Sequence, residues 1–128
     1  MRDSLLVGLG AAVGGNLRYW AGVLAVAKWG SGFPWGTLGV NVLGSMAIGA
    51  VVALAAAGEW PHGVRVLLVA GVLGGFTTLS AFSVETVSLV QEGRAGVALA
   101  YAAGSVLVSL LACWGGERAV VRILGLGP

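Results

Sequence analysis

The chain has 128 residues and a formal net charge of +2, and only 9% of its residues are charged while 58% are hydrophobic. A soluble domain of this size has too small a core to bury so much apolar surface, so the composition excludes an ordinary soluble protein and indicates an integral-membrane one. The few basic residues are scattered at segment ends, which excludes a nucleic-acid-binding surface.

Four apolar segments follow one another along the chain, and each is long enough to cross a hydrocarbon layer of about 30 Å. They predict four transmembrane helices, at residues 4–27, 34–57, 64–90 and 95–116. The connections are short, so successive helices are expected to be antiparallel neighbours. Since no linker or tail divides the chain, we expect residues 1–128 to form one integral-membrane domain of the all-α class.

The first span carries a charged residue, Arg18, well inside its apolar length. A charge at that depth is expensive, so Arg18 is expected either to face a cavity or a partner, or to snorkel to the nearer interface. Small residues also recur along this span, at Gly8, Ala11, Gly15 and Gly22. They allow another helix to approach closely, and four thin helices cannot cover all such faces without a partner chain.

Polar residues repeat at helical spacing on three spans, so each set lies on one helix face. The sets are Thr37, Asn41 and Ser45 on the second span, Ser80 and Ser83 beside Phe82 on the third, and Tyr101, Ser105 and Ser109 on the fourth. Any one of these groups could simply hydrogen-bond two helices together, but three aligned sets favour a polar track. Hydroxyl and amide donors without fixed negative charge suit a small anion better than a cation.

The third span contains an unusual segment, GVLGGFTTLSAFSVE, at residues 71–85. Adjacent glycines, threonines and serines predict a broken helix near residues 74–80. Unwound backbone is tolerated at membrane depth only inside protein or beside a watery cavity, and such breaks often bind ions through free carbonyls. Glu85 follows the break, where it could pair with Arg18 or sit at the mouth of a vestibule.

The basic residues give only a weak orientation signal. The end of the bundle that holds both termini is expected to carry Arg2, Arg65, Arg118 and Arg122, and the opposite end Lys28 and Arg94. So small a difference permits insertion in either direction, or in both directions within one membrane.

Enzyme chemistry is not expected from this sequence. Cys113 and His62 are each the single residue of their type, and no Ser–His–Asp or Cys–His set can be assembled around them. No Gly-rich phosphate-binding loop is present, which argues against ATP-driven transport.

Three segments resemble the motifs of the Fluc (CrcB-type) fluoride channels. Residues 14–19 (GGNLRY), 36–45 (GTLGVNVLGS) and 74–85 (GGFTTLSAFSVE) are similar to the family's signatures in the first, second and third spans, and Tyr101, Ser105 and Ser109 match the spacing of the fourth. This resemblance implies an antiparallel, dual-topology homodimer with two pores in the bacterial inner membrane. Such a protein would export cytoplasmic fluoride passively and relieve its toxicity; its partners would be fluoride, a second copy of itself and membrane lipid.

The resemblance also implies roles for individual residues. Asn41 would donate to fluoride in the pore and Phe82 would form one wall of an aromatic box. Further pore residues would be Thr37, Ser80, Ser83, Tyr101, Ser105 and Ser109, while Arg18 and Glu85 would act as vestibule or structural charges. A structural sodium ion, the one cofactor, would lie at the dimer centre on the main-chain carbonyls of Gly74 and Thr77, because hard cations take carbonyl oxygens.

Two positions depart from the family pattern. Leu79 stands where the family usually has a second box phenylalanine, and Ala81 stands where it has a threonine. A leucine side chain has no polarised ring edge. We therefore expect slower or less selective fluoride flux, with Asn41 and Phe82 sufficient for conduction.

Two other functions fit parts of the pattern. A small multidrug exporter also has about four helices, but such proton-coupled pumps rely on an acidic residue deep in a span, and the first span has only Asp3 at its edge. A non-transporting assembly subunit of the membrane would use the same small-residue faces, but it would leave the polar sets unexplained.

Overall fold

The computed structural model describes residues 1–58 and 60–125, and that part of the chain is helical without strands. The helices are α1 (Arg2–Trp29), α2 (Trp35–Ala57), α3 (62–76), α4 (Leu79–Gln91) and α5 (Ala95–Leu124). Helix α3 is composite: one α-helical turn (His62–Arg65), a π-helical stretch (Val66–Leu73) and a final α-helical turn (Gly74–Phe76). Glu59, in the predicted connection between the second and third spans, lies outside the described residues.

Three helical segments of the described chain are long and apolar enough to cross a membrane: Trp35–Ala57, His62–Gln91 and Ala95–Leu124. The expectation of an all-helical membrane protein is therefore confirmed. Helix α1 has 28 residues but is not among the three, because Arg18 and several glycines lower its mean hydropathy. A fourth span remains a prediction. Helix α5 also continues beyond the predicted end at Gly116 to Leu124.

The break in the third span is confirmed, but it is shorter than predicted. Only Thr77 (φ −78°, ψ 154°) and Thr78 (φ −151°, ψ 118°) are extended, whereas Gly74–Phe76 before them and Leu79 after them are helical. The π-helical stretch upstream was not predicted, because π winding depends on how the helix packs and has no distinctive sequence period.

Helix α1 packs against α3 at backbone distance. A β-carbon on Gly10 or Gly14 would collide with the main chain of α3, and one on Gly71 or Gly75 would collide with the main chain of α1. The sequence correctly predicts a small-residue contact on α1, since Ala11 meets Gly75, but it does not predict the contacts of Gly10 and Gly14. This close contact sets the position of α3 just before the break.

Helix α2 packs along α5, where Gly49 meets the carbonyl of Cys113 and Gly116 meets the carbonyl of Met46. The buried core of the single chain is thin: Val40 and Tyr101 are its most deeply buried large side chains. Many apolar side chains are exposed, among them Leu9, Leu43, Leu79, Leu107 and Leu111. An outer surface of this kind needs lipid or a second protein chain against it.

Candidate functional site

The side chain of Asn41 on α2 holds the break between α3 and α4. Its Nδ2 donates to the Thr78 carbonyl (3.0 Å), and its Oδ1 accepts from the Thr78 main-chain N–H (2.8 Å). Thr78 is 8% exposed, so its peptide groups could not be satisfied by water. Because Nδ2 has two hydrogens, one donor of Asn41 remains for another partner.

The break redirects the hydrogen bonds that a continuous helix would form. The Thr78 N–H bonds Asn41 rather than the carbonyl of Gly74 four residues earlier. The Ala81 N–H bonds the Thr78 Oγ1 (3.2 Å), which caps the start of α4. The Gly74 and Thr77 carbonyls thereby lose their helical donors.

Arg18 takes up one of the released carbonyls. Its Nη1 donates to the Thr77 carbonyl oxygen at 3.2 Å, and the side chain is partly buried. Arg18 therefore faces the interior of the bundle rather than snorkelling to an interface, and its charge stabilises the carbonyl dipole at the break.

A cleft of about 430 Å³ opens on the protein surface at the break. Its lining includes most of the residues that the sequence predicted for the pore, together with predominantly apolar neighbours from α2, α3 and α5. The predicted pore residues among them are Asn41, Leu79, Phe82, Ser105 and Ser109; Gly74 and Thr77 were predicted for sodium, and Ser45 and Thr78 for neither. None of the lining residues described is charged. Leu79 is 75% exposed, so one side of the cleft is open.

The hydroxyl of Ser105 is an unusual feature of this lining. Ser105 is 5% exposed, and within the described part of the chain its Oγ has no hydrogen-bond partner. A buried hydroxyl without a partner costs free energy, about 1–3 kcal/mol. A ligand in the cleft could accept this hydrogen bond.

Glu85 ties three helices together beside the cleft. Its Oε1 accepts from the Thr37 hydroxyl (2.6 Å) and its Oε2 accepts from the Tyr101 hydroxyl (2.8 Å). The Tyr101 ring in turn packs against Phe82, with 5.3 Å between ring centroids, and against Phe33 at 5.4 Å. The carboxylate thus positions a tyrosine whose ring supports Phe82 in the wall of the cleft.

The sequence left open whether Glu85 pairs with Arg18 or sits at the mouth of a vestibule, and the structure does not show the pair with Arg18. Arg18 binds the Thr77 carbonyl, Glu85 binds Thr37 and Tyr101, and among the described residues the two charges form no ion pair with each other. The remaining predicted pore residues lie outside the cleft lining. Ser80 bonds the Thr78 hydroxyl (3.1 Å), and Ser83 donates to the Leu79 carbonyl (2.8 Å).

Sequence reasoning overlooked Thr78, whose main chain and side chain both organise the break. The available signal was a threonine directly before a helical segment, which is the usual residue type at a helix N-cap. It also left Ser45 out of the predicted pore set, although the i, i+4 spacing from Asn41 places both on the face of α2 that lines the cleft.

No group of three or more His, Cys, Asp or Glu side chains that could hold a metal occurs in residues 1–58 and 60–125. A cation near the break would therefore need main-chain oxygens. Gly74 and Thr77, whose carbonyls have lost their helical donors, line the same cleft, and neutral carbonyl oxygens suit a hard cation. Each carbonyl has two lone pairs, so the Thr77 oxygen can accept from Arg18 and still coordinate a cation.

Comparison with known proteins gives one family. The family model described as "CrcB-like protein, Camphor Resistance (CrcB)" matches residues 5–117. A protein named "Fluoride-specific ion channel FluC" from Thermus thermophilus is 46% identical over 125 residues, which are 98% of this chain and 100% of the relative. Proteins of the same name from Novosphingobium aromaticivorans (46% over 112 residues, 86% of this chain and 89% of the relative) and Rhizobium meliloti (46% over 118 residues, 91% and 94%) are similar as well.

Proposed function

The chain belongs to the CrcB-like family, and from that premise we propose that it is a passive channel that conducts fluoride out of the cytoplasm. Its bacterial relatives and its long apolar helices identify it as a multi-pass protein of the bacterial inner membrane. The relatives are ion channels, so the expectation that the chain is not an enzyme is confirmed.

The observation that best supports the proposal is the chemistry of the cleft at the break. Its polar lining offers a spare Nδ2 hydrogen of Asn41 and the hydroxyls of Ser105 and Ser109, without an acidic side chain among the described lining residues. Such donors can replace the water around a small anion. The ring edge of Phe82 carries partial positive charge, so it adds a weak contact that also favours an anion.

The exposed side of the cleft supports an antiparallel, dual-topology homodimer with two pores. Leu79 and its apolar neighbours leave the cleft open towards lipid, where a hydrated anion could not travel. A second copy packed on this side would close the cleft into a conduit. Single-cysteine labelling tests the orientation: Ser31→Cys, in the exposed loop between α1 and α2, in a Cys113→Ala background should react with an impermeant maleimide from both membrane sides. Reaction from one side alone would contradict dual topology.

A structural sodium ion at the centre of that dimer is the second part of the proposal. The two carbonyls of one chain, at Gly74 and Thr77, are too few for a hard cation, and the same pair from a second copy would double them, so the ion would lie where two copies meet. It would supply fixed positive charge beside the anion paths. Exchanging sodium for N-methylglucamine should lower the melting temperature of the purified protein; an unchanged melting temperature would overturn this part.

The transport step needs no coupled energy source. Fluoride enters an acid-exposed cell as neutral HF and ionises inside, and the membrane potential then drives the anion outward at about 2.3 kcal/mol per charge per 100 mV. The chain has only to offer Asn41, Ser105 and Ser109 as substitutes for water while Phe82 bounds the path.

A fluoride-selective electrode tests the proposal on proteoliposomes loaded with potassium fluoride. On addition of valinomycin, the channel predicts rapid fluoride efflux that external chloride does not alter. A proton-coupled exporter would require a pH gradient for efflux, and an assembly subunit would release no fluoride; either result would refute the proposed function.

A further inference from the structure

We propose that the C-terminal half of α5 carries a binding site for the phosphate of an anionic phospholipid, formed by Trp114, Arg118 and Arg122. These residues are one helical turn apart and share one face of α5. They line a surface concavity of about 690 Å³ together with Gly115, Ala119, Val121 and Gly125. The proposal concerns lipid binding and stands whether or not the chain conducts fluoride.

The length of α5 places these groups at the right depth. Helix α5 runs from Ala95 to Leu124, and its midpoint lies between residues 109 and 110. At 1.5 Å per residue, Arg118 and Arg122 lie roughly 13 and 19 Å along the axis from that midpoint. Half of a hydrocarbon layer is about 15 Å thick, so the guanidinium groups reach the level of the lipid phosphates.

The side chains around the concavity match the two parts of a phospholipid. The Arg118 guanidinium lies 5.8 Å from the centroid of the Trp114 ring, a cation–π contact that orients it. Trp114 itself is 58% exposed and lies on the hydrocarbon side of the two arginines. Gly115 has no side chain and Ala119 has only a methyl group, so both leave room beside Trp114 for an acyl chain. A phosphate between the arginines could accept from both of them in forked geometry.

The neighbouring charges leave this face positive. Glu117 lies about 100° around the helix from Arg118, and among the described residues it forms no ion pair with either arginine. A guanidinium near an anionic surface favours the bound lipid by a factor of about five, so two of them together are expected to favour an anionic lipid roughly tenfold or more over a zwitterionic one.

Native mass spectrometry of the purified protein with equal amounts of phosphatidylglycerol and phosphatidylcholine tests the proposal. The parent should retain phosphatidylglycerol roughly tenfold more than phosphatidylcholine, and Arg118→Gln/Arg122→Gln should retain both equally. The matched control, Lys28→Gln/Arg94→Gln, removes two charges from the opposite end of the bundle and should keep the preference. A preference that survives in the first variant, or is lost equally in the control, would overturn the site.

Two further measurements keep the test decisive. Arg122→Gln alone, at an exposed position, should lower the preference even if the double variant does not fold. Lipid brominated on its acyl chains should quench the fluorescence of the parent more than that of Trp114→Phe, which lacks the indole at the site. Inorganic phosphate at millimolar concentration should displace little lipid, because it lacks the apolar part; full displacement would mean an ion site and contradict a lipid site.

Discussion

The side-chain amide of Asn41 and the peptide groups of Thr78 exchange two hydrogen bonds, so that α2 replaces the helical partners that the third span loses at its break. This pair explains how two extended residues persist inside an apolar bundle. It also frees the Gly74 carbonyl and leaves a second Nδ2 hydrogen on Asn41, which is one of the residues that line the cleft. The break and the candidate anion site are therefore parts of one arrangement.

Asn41→Ala should strongly destabilise the protein, because it leaves the buried N–H and C=O of Thr78 without partners. We expect a loss of about 2–4 kcal/mol in the free energy of unfolding, measured by thermal or denaturant unfolding in detergent. The matched control is Asn16→Ala, since Asn16 is exposed and bonds only the Ala12 carbonyl within its own helix. Equal stability of the two variants would contradict the role assigned to Asn41.

Tyr101→Phe should cost about 1.5–3 kcal/mol of stability, because Glu85 loses a donor to its charged carboxylate. The ring and its contact with Phe82 remain, so fluoride efflux should persist. Tyr19→Phe makes the same chemical change on a side chain that is 63% exposed and should leave stability unaltered. If Tyr101→Phe melts at the temperature of the parent, Glu85 does not position the aromatic wall.

Gly44→Ala should disturb the break, because a β-carbon at this position would collide with the Cγ2 of Thr77. Thr77→Ser removes that methyl group while it keeps the hydroxyl that donates to the Leu73 carbonyl. The combined variant should therefore regain most of the melting temperature that Gly44→Ala loses. Gly39→Ala, which meets only open space, is the neutral control, and a failure of rescue would mean that another contact limits this position.

Leu79→Phe should raise fluoride efflux about two- to tenfold, because an aromatic edge adds a contact of about 0.5–1.5 kcal/mol that leucine cannot make. The exchange should be tolerated, since Leu79 is 75% exposed. Val87→Phe adds the same ring at an exposed position of α4 outside the cleft lining and should not change the rate. A silent parent with efflux restored by Leu79→Phe would refute the hypothesis that Asn41 and Phe82 suffice.

The sequence alone predicted the helical class, the break and five of the residues that line the cleft. These features follow from local signals: long apolar runs, a Gly/Thr/Ser segment within one of them, and the i, i+4 spacing of Ser105 and Ser109. The partners of Arg18 and Glu85 could not be predicted, because they depend on how helices distant in sequence pack together. Part of the main-chain contact between α1 and α3 was missed for the same reason.

The most direct test is fluoride efflux from liposomes that contain either the parent protein or the Asn41→Ala/Phe82→Ala variant, recorded with a fluoride-selective electrode. The two proteins are first shown to elute at the same volume from a size-exclusion column and to be recovered in equal amounts in the liposomes. An anion path lined by Asn41 and Phe82 should give rapid efflux through the parent, unaltered by chloride, and none above background through the variant. Equal efflux through both would contradict an anion path at the break.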